Sequence, residues 1–284
     1  MLQALTSAVS GLNAFQQEID VIGNDIANVS TIAYKSASTD LADSFSQTLA
    51  NSDLGGDSSV QIGLGVVTAG IFNQFNQGAI NPTGVATDLA ISGNGFFVVK
   101  NAVSGEEFVT RAGDFQLDSS GYLVTPGGLR VQGYTDPTLT AIGDIKIDAA
   151  NMPAADKAVN ATMTSYAIDQ QGHVDITLSD GTTYVTGQIL MQNFSNPNGL
   201  IKEGNNLYGG IGVSGPLGGA TSPTPAAPGT NGMGTIQSGA LEQSNVDLSS
   251  EFANLIQTQR AFQANARIIT ASDEMLQDLV NMKH

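Results

Sequence analysis

Cysteine and tryptophan are missing from all 284 residues. Without cysteine there is no disulfide, no thiolate nucleophile and no cysteine metal site. Basic side chains are scarce: 10 Lys and Arg stand against 26 Asp and Glu, for a formal charge of -16. The clustered cations that grip a phosphate backbone are therefore lacking, which argues against a nucleic-acid partner. Charge of either sign is sparse at 13%, and Asn, Gln, Ser, Thr and Gly supply the polar surface. That balance suits a secreted polymer better than a cytosolic enzyme. No apolar run approaches the length of a bilayer span, so membrane insertion is not expected. The N-terminus also lacks the basic region and clustered apolar segment of a cleaved signal peptide, which leaves a cytoplasmic chain or one exported without a cleaved leader.

What the chain does have is an apolar stripe at helical spacing at each end. The first runs Met1, Leu5, Ala8, Leu12, Phe15, Ile19, Ile22 and Ile26. The second runs Leu248, Phe252, Leu255, Gln259, Phe262, Ala266, Ile269, Asp273, Leu276 and Val280, interrupted by polar Gln259 and Asp273. Intervals alternating four and three form a coiled-coil seam. Two terminal helices that complete the core of a β domain are the plainer account. Against it stands length, since a helix over residues 1 to 28 spans about 40 Å at 1.5 Å per residue. Polarity also counts against it: between Met1 and Asn28 the charged side chains are only Glu18, Asp20 and Asp25. A solvated helix face carries more charge than that, so both faces are expected to be covered, by the other helix or by neighbouring molecules.

The middle of the chain changes period. The N-terminal pattern stops at Asn28-Val29-Ser30-Thr31, and residues 36–62, rich in Ser, Asp and Gly, read as an extended connector. From residue 63 to 239 short β-branched and aromatic runs alternate with turns: Val66 to Ile71, Leu89 to Ile91, Phe96 to Val99, Phe108 to Thr110, Tyr122 to Thr125, Leu129 to Tyr134, Tyr166 to Ile168, Val174 to Leu178, Thr182 to Val185 and Gln188 to Phe194. Asp180-Gly181 marks a hairpin turn. Residues 135–165 are irregular, and the Gly- and Pro-rich stretch 209–234 reads as a surface loop. Ser244-x-x-Asp247 supplies a capping-box-like start for the last helix. The expected fold class is mixed and mainly β, with a β-rich middle domain inserted between N- and C-terminal α-helices, residues 1–35 and 240–284, that form a coiled-coil-like layer.

With these elements placed, three segments resemble the flagellar axial proteins, the rod and hook subunits of bacteria. Residues 20–35, from Asp20 through Asn24, Asn28, Thr31 and Tyr34 to Lys35, are similar to the family's N-terminal signature, with Ala33 where the family usually has Gly. Residues 86–97 followed by Thr110-Arg111-Ala112-Gly113-Asp114-Phe115 resemble the opening of its β domain. Residues 239–247, continuing through Gln259-Arg260-Ala261-Phe262 to Asn265, resemble its C-terminal helix. Gly63-Leu64-Gly65-Val66 with Ala69-Gly70-Ile71, and the closing residues 275–283, look more like hook subunits; the overall length, with only 135–165 where hook proteins commonly insert an outer domain, looks like a distal rod subunit. The resemblance implies a homopolymer that transmits torque, with partners in the rod, the hook cap and the hook-filament junction. It also implies an extracellular place in the hook-basal body, reached through the type III export apparatus without cleavage. Leu41 and Phe45 occupy the place of a short export motif. The assembly interface is expected on Leu5, Leu12, Phe15, Ile19, Ile22, Ile26, Phe252, Leu255, Phe262, Ile269 and Leu276.

An enzyme reading, such as a secreted carbohydrate-active enzyme, needs a carboxylate pair in a cleft. Asp114 and Asp118 are the candidates, and exposed turn residues are the better account of them. His173 sits in a Gln-Gly-His turn and His284 is terminal, so no triad or metal cluster is suggested. Gly93-Asn94-Gly95 lacks the following spacing of a dinucleotide loop. No catalytic residue, cofactor or metal is expected, and the favoured function is that of a structural hook subunit, with the distal rod as the alternative.

Overall fold

A computed structural model describes residues 2–50, 60–148, 162–217 and 224–282. The chain divides into two compact units. The terminal unit contains residues 1–29, 35–74 and 246–284; the β unit contains 30–34 and 75–245. The fold is mainly β, with one long helix at each end of the sequence and the β-rich middle between them.

In the terminal unit α1 spans Leu2–Ala27 and α2 spans Leu248–Asn281. Neither contains proline. α1 stops where Asn28 turns its amide back, donating to the Asn24 carbonyl at 2.9 Å and to the Asn24 side-chain oxygen at 3.2 Å. Such side-chain competition for backbone groups is why Asn ends helices. α2 begins at Asp247, whose carboxylate accepts the Ser249 N–H at 2.9 Å. The cap is thus Asp247 itself and not the Ser244 expected of a capping box.

The described part of residues 36–62, expected as a connector, is ladder-paired. β1 (Ala37–Asp43), β2 (Ser46–Ala50), β3 (Val60–Gly63) and β4 (Val66–Asn73) form two consecutive antiparallel pairs, β1 with β4 and β2 with β3. The Ser44 N–H to Gly65 carbonyl bond (2.8 Å) and the Leu64 N–H to Phe45 carbonyl bond (2.9 Å) join them into one arm. A Ser- and Gly-rich composition misled here because the β4 partner lies outside the stretch, and local composition does not register a distant ladder. Residues 51–59, the core of the expected connector, lie outside the described residues.

The β unit is built on an antiparallel sheet whose main path runs, by strand, Met163–Ile168, His173–Leu178, Thr183–Ile189, Arg130–Tyr134, Phe96–Lys100, Glu107–Thr110, Leu207–Gly209 and Ile201–Gly204. Asp180-Gly181 makes the expected hairpin turn, with Gly181 at a φ of 84°. The central strand Phe96–Lys100 is covered on both faces. Alternation sends Phe97 and Val99 into a large cluster with Leu89, Ile91, Val131, Ile189 and Ile236, and Phe96 and Val98 into a smaller one with Val109, Phe194 and Tyr208. Phe96 meets Phe75, Phe194 and Tyr208 edge-on, and Phe97 meets Phe115 at 5.1 Å. The stretch 209–234, expected as a surface loop, buries Ile211, Ser214 and Met233 in its described part. Within the expected irregular region 135–165 stands the short strand Ile142–Asp144, and its residues 149–161 lie outside the described ones.

Residues 30–34 are pinned to the β unit. The Ala33 N–H donates to the Glu242 carbonyl at 2.8 Å, the Asn206 amide donates to the Ile32 carbonyl at 2.7 Å, and the Lys202 ammonium lies 4.7 Å from the centre of the buried Tyr34 ring. Ala33 is fully buried at a φ of 55°, the left-handed conformation that glycine adopts without strain. The backbone therefore keeps a glycine turn although the residue is alanine.

An ion pair lies at the heart of the same unit. Arg111 Nη1 reaches Glu242 Oε2 at 3.4 Å with both side chains essentially inaccessible. Arg111 Nη2 donates to the Gly93 carbonyl at 2.9 Å, its guanidinium lies 5.3 Å from the Phe96 ring centre, and Glu242 Oε1 accepts the Gly78 N–H at 2.8 Å. Burial pulls the Arg111 basicity down and Glu242 pulls it back up, while burial pushes the Tyr208 phenol well above its usual range. Removing one partner strands the other charge in the core. Glu242→Ala is expected to cost roughly 3–5 kcal/mol, read as a lowered midpoint of chemical denaturation, whereas an exposed control such as Glu106→Ala changes it by less than about 0.5 kcal/mol.

Candidate assembly interface

The terminal unit carries the residues expected to hold copies together. Within it α1 packs on α2 along one side and receives the β arm along another. The arm is fixed by polar bonds onto α1: the Val66 N–H to Ser10 Oγ at 3.3 Å, Thr68 Oγ1 to Gln17 Oε1 at 2.6 Å, and the Ala37 N–H to Asp25 Oδ2 at 3.0 Å. Gly65 lies so close to α1 that a Cβ there would sit 2.1 Å from Ser10 Oγ, and its φ of 124° is itself glycine-like. Ser7, Ser10, Gly11 and Ala14 are small because backbone and helix approach each other here.

On α1, Ala8, Gly11, Ala14, Ile22 and Asp25 are buried, while Leu5, Leu12, Phe15, Ile19 and Ile26 are half-buried. On α2 the expected seam splits. Leu255, Phe262, Ile269 and Leu276 are half-buried, but Phe252 is 48% exposed, and Gln259, Asp273 and Val280 are exposed as well. The covered row lies one residue earlier, through Glu251, Thr258, Asn265 and Ser272, of which Thr258 and Ser272 are buried outright. Thr258 and Ser272 turn their hydroxyls back onto the carbonyls of Asn254 and Ile268, at 2.9 Å and 2.8 Å, so they bury no unpaired donor. Hydropathy alone hides such a row, because its members are polar; the signal available in sequence is heptad spacing of small residues opposite Ala8, Gly11 and Ala14. Gly11 faces Asn265 so closely that a Cβ would come 2.4 Å from the amide nitrogen.

Large apolar side chains remain uncovered in this unit. Ile256 is 52% exposed, Met275 50% and Val280 61%, and Phe45, at the turn between β1 and β2, is 87% exposed. Leu41, its expected partner in an export motif, sits at a bulge in β1. Glu18, Ile22, Thr39, Gln74, Glu251 and Asn254 line a cavity of about 150 Å³. There burial, then the nearby carboxylates Asp25 and Asp247, push the pKa of the Glu251 carboxyl above its ordinary value.

Of the residues considered for chemistry, Asp114 is partly buried, pairs backbone to backbone with Asp88, and has its carboxyl pushed up by desolvation. Asp118 caps its own turn by accepting the Ser119 N–H, and His173 pairs with Asp169 at 2.9 Å. Among the described residues no three His, Asp or Glu side chains gather in a metal-holding group, and no described helix is long and apolar enough to cross a membrane.

Three family descriptions match in chain order: flagella basal body rod protein at residues 5–35, the D1 domain of flagellar hook protein FlgE/F/G at 90–176, and the C-terminal region of the flagellar basal body rod FlgEFG proteins at 237–282. The chain is 40% identical over 288 residues to the flagellar basal-body rod protein FlgG of Bacillus subtilis, with 100% of each chain covered. It is 34% identical to that of Caulobacter vibrioides over 97% of each chain. It is also 26% identical to the flagellar hook protein FlgE of Borreliella burgdorferi, over 450 aligned residues and 100% of each chain. A crystal structure of the Helicobacter pylori flagellar hook protein FlgE2 superposes with a TM-score of 0.42 at 11% identity, covering 57% of this chain and 100% of that one.

Two helices from opposite ends of a sequence, flanking a β-rich middle and matched throughout by flagellar proteins, define a structural component of the flagellum and not an enzyme. The chain belongs to the flagellar rod and hook axial protein family.

The helix contact makes a paired prediction for the isolated subunit. Gly23 has nothing within 4 Å of a would-be Cβ, so Gly23→Ala should stabilise α1 by about 0.5–1 kcal/mol. Gly11→Leu should instead force α2 away and cost about 1–3 kcal/mol despite its better helix propensity. Thermal melts followed by helical circular dichroism measure both.

Proposed function

We propose that this chain is a subunit of the flagellar rod, the straight drive shaft, and not of the hook favoured on short motifs. The observation that carries the proposal is end-to-end likeness. The match to a rod protein runs over 288 residues with both chains fully covered, whereas the hook relative aligns over 450 residues against 284 here. A rod-sized chain thus has no counterpart for much of the hook relative's length. The motifs that pointed to the hook, around Gly63–Ile71 and the C-terminus, lie in β4 and α2, where the family as a whole shares its architecture.

In this reading many copies form a tube, with the paired helices packed among those of neighbouring copies. Rigidity follows from the β arm: its ladders and its hydrogen bonds onto α1 tie its described strands to that helix, leaving little to slide within the unit. The uncovered side chains of Phe252, Ile256, Met275 and Phe45 are the surfaces that neighbouring copies would cover. The seam residues Leu5, Leu12, Phe15, Ile19, Ile26, Leu255, Phe262, Ile269 and Leu276 would then serve first to close the subunit, and Phe252 to join copies. Partners would be other rod and hook subunits at the tube's ends. Delivery would use the type III export apparatus, with exposed Phe45 and neighbouring Leu41 as candidates for its recognition.

Cells deprived of their own copy and supplied with this chain should assemble straight rods visible by electron microscopy and swim; curved tubes would return the assignment to the hook. Phe252→Asp with Ile256→Asp should leave the purified subunit's unfolding free energy within about 1 kcal/mol of the parent's, because both positions are exposed, yet abolish rods and swimming.

A further inference from the structure

The side of α2 turned away from α1 carries a charge pattern that no described residue of the subunit uses. Arg260 and Arg267 stand seven residues apart, Glu274 follows after seven more, and Asp278 one turn later. At 100° per residue the four project within roughly 40° of one another, opposite to the row through Thr258, Asn265 and Ser272. All four are exposed, and none forms an ion pair or side-chain hydrogen bond with a described residue. The other described cations are engaged: Lys100 with Glu107, Arg111 with Glu242, Arg130 with Asp144, Lys146 with Asp148, Lys202 over Tyr34, and Lys35 buried with partners of its own. In a chain with so many acids, two arginines on one helix face are held apart from every local carboxylate, while two carboxylates share their face further along.

We propose that this face is a copy-to-copy contact in which Arg260 and Arg267 of one α2 pair with Glu274 and Asp278 of a parallel α2 in the next copy. The two helices would be displaced along their axes by about 11–14 residues, on the order of 19 Å. The proposal rests on reading the chain as a polymer subunit and adds what sets the axial stagger. In-register parallel contact places Arg260 on Arg260 and Glu274 on Glu274, and like charges face to face are penalised. An antiparallel contact can pair Arg260 with Asp278 and Arg267 with Glu274, but it is two-fold and closes at a dimer, whereas a head-to-tail contact leaves each copy one free donor and one free acceptor surface. The small residues Ala264 and Ala271 lie between the charges and allow close approach.

The test exchanges charges in cells lacking their own copy. R260E/R267E makes the face wholly acidic, and E274R/D278R makes it wholly basic. Each variant, confirmed folded by its thermal melt, should lose rods and the swimming halo when expressed alone. Expressed together they should recover both, because acidic and basic copies alternate along the stagger, and the quadruple variant R260E/R267E/E274R/D278R should recover them in one chain. Either double variant swimming like the parent would overturn the proposal, as would failure of both the mixture and the quadruple variant. Purified parent or mixed protein that stops at dimers in sedimentation would also overturn it, in favour of the antiparallel contact. Failure of the parent chain itself to restore rods would instead remove the rod reading beneath it.

Discussion

Everything in the terminal unit depends on the two ends of the chain finding each other. α1 is too long and too poorly charged to stand in water alone, and α2 buries its polar row only against the small residues of α1. Isolated helices are marginal even with good propensity, so the stability of each resides in this contact. The arm is a third participant. With the Val66 and Ala37 N–H groups bonded to Ser10 and Asp25, and the Thr68 hydroxyl to Gln17, it covers a second side of α1.

The β unit solves a different problem. Its central strand is apolar on both faces, which demands cover from two directions, and the covers come from sequence on either side of residues 96–100. Arg111 and Glu242 then tie the beginning of the unit to its end. A buried pair of this kind adds little net stability over apolar substitutes, but it tolerates no other partner, and so it fixes which segments meet. The pinned turn at residues 30–34 closes onto the same Glu242 backbone, so that the family's N-terminal signature and the start of its C-terminal segment are hydrogen-bonded neighbours.

Much of this was legible in the residues. Two terminal helices, a β-rich middle, the turn at Asp180-Gly181 and most strands of the main sheet follow from periodicity and turn chemistry, and the flagellar family follows from the motifs. What was hidden is instructive. The arm was missed because β1 finds its partner in β4, across a stretch of Ser, Asp and Gly that gives no local sign of pairing. The helix contact lies one row off the expected seam because Thr258, Asn265 and Ser272 are polar by name, yet all three are small enough to be enclosed, and Thr258 and Ser272 satisfy their hydroxyls locally. The short strands at 201–204, 207–209 and 235–238 escaped because they are too brief to show alternation. The motifs that look like hook subunits lie in β4 and α2, whereas what separates the rod relatives from the hook relative is chain length.

The meeting of Gly11 with Asn265 also has a kinetic side. These residues are roughly 250 positions apart, so closing the helix pair is among the least local events the chain can undergo. A chain emerging N-terminus first presents α1 long before α2 exists to receive it, and every intermediate length must carry that apolar row unsatisfied. The β unit, complete by residue 245, is able to fold while its flanking helices wait. The last thirty or so residues thus act as a clasp that decides when the subunit becomes a finished object, and a truncation there would leave a folded β unit attached to a permanently open end.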